Sequence, residues 1–143
     1  MKKIEILLVE DNEGDIVLTT EAFEESDLHS NINVARNGRE ALDYLSLDGG
    51  NSDNELPDLI LLDINLPLLN GHEVLQCIKQ NERTKHIPVI ILTTSSASND
   101  INATYMNHAN CYITKPADIN EFFEVINTLG KFWFNIAKLP LIK

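Results

Sequence analysis

Residues 58–71 read Asp-Leu-Ile-Leu-Leu-Asp-Ile-Asn-Leu-Pro-Leu-Leu-Asn-Gly. The apolar run at 59–62 is too short for a helix and shows no polar alternation, which predicts a strand covered on both faces, as in the middle of a parallel sheet. The run ends at Asp63, and Pro67 and Gly71 mark a tight loop before the next helix. Because ligands gather at the carboxyl ends of strands in open α/β sheets, Asp63 is the candidate reacting group. The alternative is an Asp that merely caps the strand end.

The composition limits the class of protein. A chain of 143 residues that is 43% hydrophobic fits one globular domain with an adequate core. We find no apolar run of membrane-spanning length, and we expect a cytoplasmic protein. The formal net charge of −11 argues against nucleic acid and anionic membranes as direct partners. Cys77 and Cys111 form neither a CxxC motif nor a metal-ligand spacing, so a disulfide framework is not expected.

Apolar runs alternate with segments of helical spacing along the chain, which predicts five β-α units. The interpretation is a doubly wound, five-stranded parallel sheet of the flavodoxin-like (βα)5 type, with strand order 2-1-3-4-5. A polar loop at 48–57 precedes the third strand. Strands are predicted at 4–9, 32–35, 59–62, 88–92 and 111–114, and helices at 15–25, from 38, at 71–82, at 99–108 and from 117.

Polar side chains follow four of the five predicted strands: Glu10 and Asp11 the first, Asp63 the third, Thr93 the fourth and Lys115 the fifth. In the predicted strand order these five residues share one cleft. Three carboxylates there repel one another, since two unit charges about 4 Å apart cost roughly 4 kcal/mol at an effective dielectric near 20. Such a cluster is expected to shift a pKa or to hold a cation. An all-oxygen, water-accessible site suits Mg²⁺ better than Zn²⁺.

The residues of this cleft suit phosphoryl transfer. A carboxylate can act as a nucleophile and form an aspartyl phosphate, which is the role predicted for Asp63. The charge on the transferred group must be neutralised, here by the divalent ion, the ammonium of Lys115 and the hydroxyl of Thr93.

These motifs together resemble the receiver domain of two-component response regulators, over about residues 4–130. The resemblance implies that Asp63 accepts a phosphoryl group from a sensor histidine kinase or a phosphotransfer protein. It also implies a protein that catalyses only its own phosphorylation and dephosphorylation. The matching segments are Val9-Glu10-Asp11-Asn12, Leu62-Asp63-Ile64-Asn65-Leu66-Pro67, Asn70-Gly71, Pro88-Val89-Ile90-Ile91-Leu92-Thr93 and Tyr112-Ile113-Thr114-Lys115-Pro116.

The same resemblance assigns roles within the cleft. Thr93 and Lys115 would contact the phosphoryl group, and Thr93 and Tyr112 would form the conformational switch. A cis peptide bond is expected between Lys115 and Pro116. The Mg²⁺ ligands would be Glu10, Asp11, Asp63 and the backbone carbonyl of Asn65.

The last residues, 131–143, form an aromatic extension after the predicted final helix. This extension and the loop at 48–57 resemble single-domain response regulators that partner phytochrome-type sensor kinases. We expect the extension to mediate a homodimer, because one helix on one sheet cannot cover all of its apolar side chains. The alternative is that it folds back over its own domain. The predicted core-facing residues of the final helix are Ile119, Phe122, Ile126, Leu129 and Trp133.

Two other functions use some of the same residue types. A phosphohydrolase of the haloacid dehalogenase type also uses an aspartate nucleophile with Mg²⁺. It requires a second Asp two residues after the nucleophile, where this chain has Asn65, and it places the nucleophile after its first strand. A phosphate-independent interaction module is the other candidate, and the intact set of cleft residues argues against it.

Overall fold

The computed structural model describes residues 3–26, 29–47 and 55–141, so most of the polar loop, residues 48–54, lies outside them. Five parallel strands form one sheet in the order β2-β1-β3-β4-β5, which confirms the predicted fold class. The strands are β1 (Ile4–Val9), β2 (Ser30–Ala35), β3 (Leu59–Leu62), β4 (Val89–Thr93) and β5 (Cys111–Thr114). The helices are α1 (Glu13–Glu25), α2 (Gly38–Leu45), α3 (Gly71–Gln80), α4 (Ser98–Met106) and α5 (Ile119–Lys131), and a π-helical turn at Phe132–Ile136 follows.

Strand β3 is the centre of the sheet and is buried on both faces. Its four side chains are all 0% exposed. Ile60 and Leu62 pack against the side covered by α2 and α3, whereas Leu59 and Leu61 pack against the side covered by α1 and α5. Burial of such a side chain stabilises the fold by about 1.5–3 kcal/mol. Asp63 is therefore attached to the most firmly buried strand of the domain.

Side-chain caps determine where four of the helices begin. Asn12, Asn37, Asn70 and Asp118 each accept the backbone N–H of the residue three positions later, at 2.8–3.0 Å. Each such cap contributes about 1 kcal/mol. Because Asn12 caps α1, the helix begins at Glu13, two residues before the predicted start.

Helix α5 buries Phe122, Ile126 and Leu129, as its spacing predicts. The prediction for Ile119 is wrong, because this side chain is 57% exposed. Ile119 is the first residue of α5, and residues 117–121 at this end of the helix are all exposed.

The aromatic extension divides between buried and exposed side chains. Trp133 and Phe134 are half-buried and pack against the core on the α1 and α5 side. Phe132, Ile136 and Leu141 are 49%, 70% and 94% exposed. Part of the extension thus folds back on its own domain, and part of it faces solvent. Within the described ranges, no helix is both long and apolar enough to cross a membrane.

Candidate functional site

The ends of the central strands lie side by side at one edge of the sheet. Val9 pairs with Leu62, and Leu62 pairs with Ile91, so β1, β3 and β4 end close together. The backbone N–H of Asp63 donates to the carbonyl of Val9 at 3.0 Å, which holds the start of the β3–α3 loop against β1. Similarly, the N–H of Lys115 donates to the carbonyl of Thr93 at 2.7 Å. The predicted cleft residues are therefore brought together.

The ammonium group of Lys115 lies in the centre of the cleft. It donates to Asp63 Oδ2 at 3.1 Å, to Asp15 Oδ2 at 2.9 Å and to Glu10 Oε1. The Lys115 side chain is 4% exposed, so these contacts are shielded from bulk water. Burial opposes its charged form, but the hydrogen bonds to Glu10 and Asp15 raise the pKa of Lys115 above its ordinary value. The lysine is therefore a permanent cation beside Asp63.

The carboxylates at this edge form a candidate metal site. Glu10, Asp11 and Asp63 each place an oxygen atom within 4.8 Å of the others. Glu10 and Asp63 are buried, whereas Asp11 is exposed and leaves the site open to solvent. Oxygen donors with an open side fit a hard divalent cation that keeps some of its waters. The backbone N–H of Asn65 donates to Asp63 Oδ1 at 3.0 Å, and the metal role of its carbonyl stays a prediction.

Burial raises the pKa of Glu10 to about 7, although the ion pair with Lys115 acts in the opposite direction. Because the pKa of Glu10 is higher in the folded chain than in the unfolded chain, the folded chain keeps the Glu10 proton up to a higher pH. The stabilising effect of that proton is complete below the unfolded pKa and is lost as the pH rises towards about 7. A divalent ion must displace the proton below this pH, since metals bind the ionised carboxylate.

We therefore expect a divalent ion such as Mg²⁺ to bind more weakly as the pH falls below neutrality, by up to about tenfold per pH unit for one displaced proton. Isothermal titration calorimetry of the full chain, on both sides of neutral pH, measures this change. Glu10→Gln removes the proton-linked group, so its residual Mg²⁺ affinity should vary little over the same range. Equal affinity of the unmodified chain on both sides would contradict the expectation.

The loop after Asp63 has two conformationally restricted positions, Gly71 and Leu68. A Cβ atom on Gly71 would lie 2.3 Å from Ile64 Cα and 2.4 Å from the Asp63 carbonyl oxygen, so α3 can begin there only with glycine. Leu68 has a positive φ of 67°, and the N–H of Leu69 donates to the Pro67 carbonyl at 2.8 Å across it, forming a γ-turn. This loop carries a strained backbone next to Asp63, the candidate reacting carboxylate.

Thr93 and Tyr112, the predicted switch pair, both contact groups of this edge. Thr93 is fully buried, and Asn65 Nδ2 donates to its Oγ1 at 3.4 Å. Tyr112 donates its hydroxyl to the carbonyl of Ser95 at 2.9 Å. Tyr112 thus holds the loop that leaves Thr93, and its role as a switch stays a prediction.

The peptide bond between Lys115 and Pro116 is trans, and the prediction of a cis bond is wrong. A trans X-Pro bond is favoured by about 0.5–1 kcal/mol unless the fold requires the other isomer. The cis isomer is not needed for the contacts of Lys115, since its ammonium group contacts three carboxylates while the bond is trans.

The sequence did not indicate the contacts of Asp15, His72 and Asp100 at this edge. Asp15, in the first turn of α1, contacts Lys115. Asp100 accepts a hydrogen bond from Ser95 Oγ at 2.6 Å and lies 3.0 Å from His72 Nε2, linking the starts of α3 and α4. The hydrogen bonds from Ser95 and His72 hold the pKa of Asp100 below its usual value. No spacing in the chain points to these pairings.

The geometry of the cleft agrees with the comparison of the chain with known families. The pattern that defines the response regulator receiver domain matches residues 6–127. The chain belongs to this family. A receiver domain is a phosphoacceptor in signalling, and the phosphoryl-transfer function predicted from the strand ends is the function of the family.

Relatives of this receiver domain match it along nearly all of its length. The response regulator Rcp1 of Synechocystis sp. is 40% identical over 135 residues, which cover 94% of this chain and 92% of Rcp1. The crystal structure of the phosphorylated cyanobacterial phytochrome response regulator RcpA is 42% identical, with a TM-score of 0.92 over 97% of this chain and 99% of RcpA. A structure of Rcp1 with bound Mn²⁺ is 39% identical, with a TM-score of 0.90 over 96% of this chain and 99% of that one.

Proposed function

We propose that Asp63 of this response regulator accepts a phosphoryl group from a sensor histidine kinase or a phosphotransfer protein. The observation that carries the proposal is the three-way contact of the Lys115 ammonium with Asp63, Glu10 and Asp15 beside an open cluster of carboxylates. Asp63 and Glu10 are both buried carboxylates that contact the lysine and belong to that cluster, and Asp63 is the one that directly follows the central strand β3. The similarity to phosphorylated RcpA supports the same assignment.

The residues of the cleft have different roles in the phosphoryl transfer. An Asp63 carboxylate oxygen attacks the phosphorus atom, and the leaving group departs with the electrons of the broken bond. Lys115 and the Thr93 hydroxyl donate to the phosphoryl oxygens that develop charge. Mg²⁺, when bound by Glu10, Asp11, Asp63 and the Asn65 carbonyl, supplies positive charge to the same oxygens. The bound Mn²⁺ of Rcp1 supports a divalent ion at this cluster.

We expect the full chain to gain the mass of one phosphoryl group from acetyl phosphate when Mg²⁺ is present. Chelation of the metal should abolish the gain, because four carboxylates around one lysine leave a net negative cleft that repels an anionic donor. Intact-protein mass spectrometry measures the uptake. Equal uptake with excess chelator would contradict the proposed metal.

The relatives support a proposal for the phosphodonor protein. RcpA is described as a phytochrome response regulator, and we propose that a phytochrome-type histidine kinase is the partner of this chain. We also propose that the chain catalyses only its own phosphorylation and dephosphorylation. A cytoplasmic location fits its two free cysteines, Cys77 and Cys111, since disulfides are rare in reducing compartments.

We further propose that the aromatic extension, residues 131–143, contributes to a homodimer. The side chains of Phe132, Ile136 and Leu141, in or after the π-helical turn that follows α5, are exposed to solvent. Phe132 also lines an open apolar groove of about 710 Å³ between β5 and α5. Monomers rarely expose apolar patches beyond a few hundred Å². The side chains that line the groove include Cys111, Ile113, Val125, Leu129, Phe132 and Trp133.

We expect the full chain to sediment as a dimer at high micromolar concentration and the Phe132→Ser, Ile136→Ser variant to sediment as a monomer. These substitutions leave Trp133 and Phe134, which pack on the core of their own domain, in place. Val17→Ser, at a half-exposed apolar side chain on α1, is the matched control. If the unmodified chain is monomeric at that concentration, the homodimer proposal is wrong, and the extension only folds back on its own domain.

A further inference from the structure

The motifs of the receiver family do not account for the contact between Lys115 and Asp15. Of the three carboxylates that accept from the ammonium, Glu10 and Asp63 belong to the proposed metal cluster. Asp15 does not, and it approaches the lysine from the first turn of α1 with Oδ2 at 2.9 Å. Its side chain is 27% exposed, so it forms the outer wall of the lysine pocket.

The three carboxylates that accept from Lys115 change in different ways during the proposed reaction. An ammonium group has three protons, and each is directed at a different carboxylate. Metal binding would draw on the oxygens of Glu10 and Asp63, and phosphorylation would convert one Asp63 oxygen into the bridging oxygen of an acyl phosphate. Of these three partners, only Asp15 keeps an undisturbed carboxylate from the resting state to the phosphorylated state.

A purely local role for Asp15 does not account for this geometry. An acidic residue in the first turn of a helix is stabilising through the helix dipole, and Asn12 already caps α1 by accepting the Asp15 backbone N–H at 2.9 Å. Glu13 lies in the same turn, but its carboxylate pairs with Arg36 at 3.0 Å. The two acidic side chains of one turn therefore have different partners, and only that of Asp15 joins the cleft.

We propose that Asp15 is a positioning residue that holds Lys115 in place for phosphoryl transfer to Asp63. The proposal rests on the function proposed above. With one proton bound to Asp15, the ammonium stays beside the cleft while its other protons turn from carboxylate oxygens to phosphoryl oxygens. In the reaction with acetyl phosphate, the Asp63 oxygen bonds to phosphorus, the bond from phosphorus to the acetate oxygen breaks, and acetate leaves with that electron pair.

The test measures initial phosphorylation rates of the full chain with acetyl phosphate at saturating Mg²⁺. Asp15→Ala should slow the reaction about tenfold, because a displaced lysine no longer meets the phosphoryl oxygens. Asp15→Asn keeps an oxygen acceptor and should stay within about threefold of the unmodified rate. Glu13→Ala, the matched control in the same turn, should leave the rate unchanged.

The decisive comparison uses a Lys115→Ala background. If Asp15 acts through the lysine, adding Asp15→Ala there causes no further slowing. A full additional tenfold loss would overturn the proposal, as would an Asp15→Ala rate equal to that of the unmodified chain or an Asp15→Asn rate as low as that of Asp15→Ala. If the unmodified chain is not labelled on Asp63, the proposed function itself fails. Normal labelling that is insensitive to Asp15 refutes only the positioning role.

Discussion

We expect Asp63→Asn to abolish phosphate uptake from acetyl phosphate and from a cognate histidine kinase. An amide is not a nucleophile towards phosphorus, and among the residues that the structure describes no other carboxylate contacts both the Asn65 N–H and the Lys115 ammonium. The substitution nearly conserves shape, so the fold should persist. Intact-protein mass spectrometry and peptide mapping of the labelled chain measure the result.

The matched control is Asp58→Asn, the same substitution at the other end of β3. Asp58 Oδ2 accepts the backbone N–H of Glu5 at 2.9 Å, a hydrogen bond that an amide oxygen can also accept. We expect this variant to be labelled as readily as the unmodified chain. Undiminished label in Asp63→Asn, mapped to a different residue, would refute the assignment of Asp63 as the phosphoacceptor.

We expect Lys115→Ala to have the second large effect, on both stability and rate. The side chains of Glu10 and Asp63 are 3% and 8% exposed, and removal of their common cation leaves two buried carboxylates without an ionic partner. Breaking such a buried pair lowers the free energy of unfolding by about 3 kcal/mol. The loss of a donor to the phosphoryl oxygens should slow phosphorylation about 100-fold.

Two comparisons test whether the lost positive charge of Lys115 causes these effects. Lys85→Ala removes an exposed lysine paired with Glu82 at 3.0 Å, and it should cost no more than about 1 kcal/mol. Mg²⁺ should stabilise Lys115→Ala more than it stabilises the unmodified chain, because the ion replaces the missing positive charge. Urea unfolding with and without Mg²⁺ provides both measurements. A Lys115→Ala chain as stable as the Lys85→Ala chain would show that the ion pairs of the cleft contribute little to the fold.

Local patterns determined most of the architecture. The apolar run 59–62 has no polar position, and a strand of that kind is stable only between two layers of helices. Since connections between parallel strands are right-handed and short, the alternation of strands and helices left few possible topologies. The carboxyl ends of the strands then had to meet, which is why Asp63, Thr93 and Lys115 could be grouped from the sequence.

Other features depended on contacts between residues far apart in the chain. The pairing of Asp15 with Lys115 spans 100 positions, and only the fold brings the first turn of α1 close to the residue that follows β5. The need for glycine at position 71 comes from the 2.4 Å approach to the Asp63 carbonyl, a distance that no spacing rule contains. The trans bond before Pro116 and the exposure of Ile119 likewise differ from what the sequence predicted.

The sequence by itself therefore determined the strand order, the cleft and the candidate phosphoacceptor, because these follow from hydrophobic burial and strand direction, which act locally along the chain. The tertiary structure alone decided which carboxylates share the lysine and which helix end supplies the third acceptor. Hydrogen bonds act over about 3 Å and depend on orientation, so they are settled only when distant elements have packed.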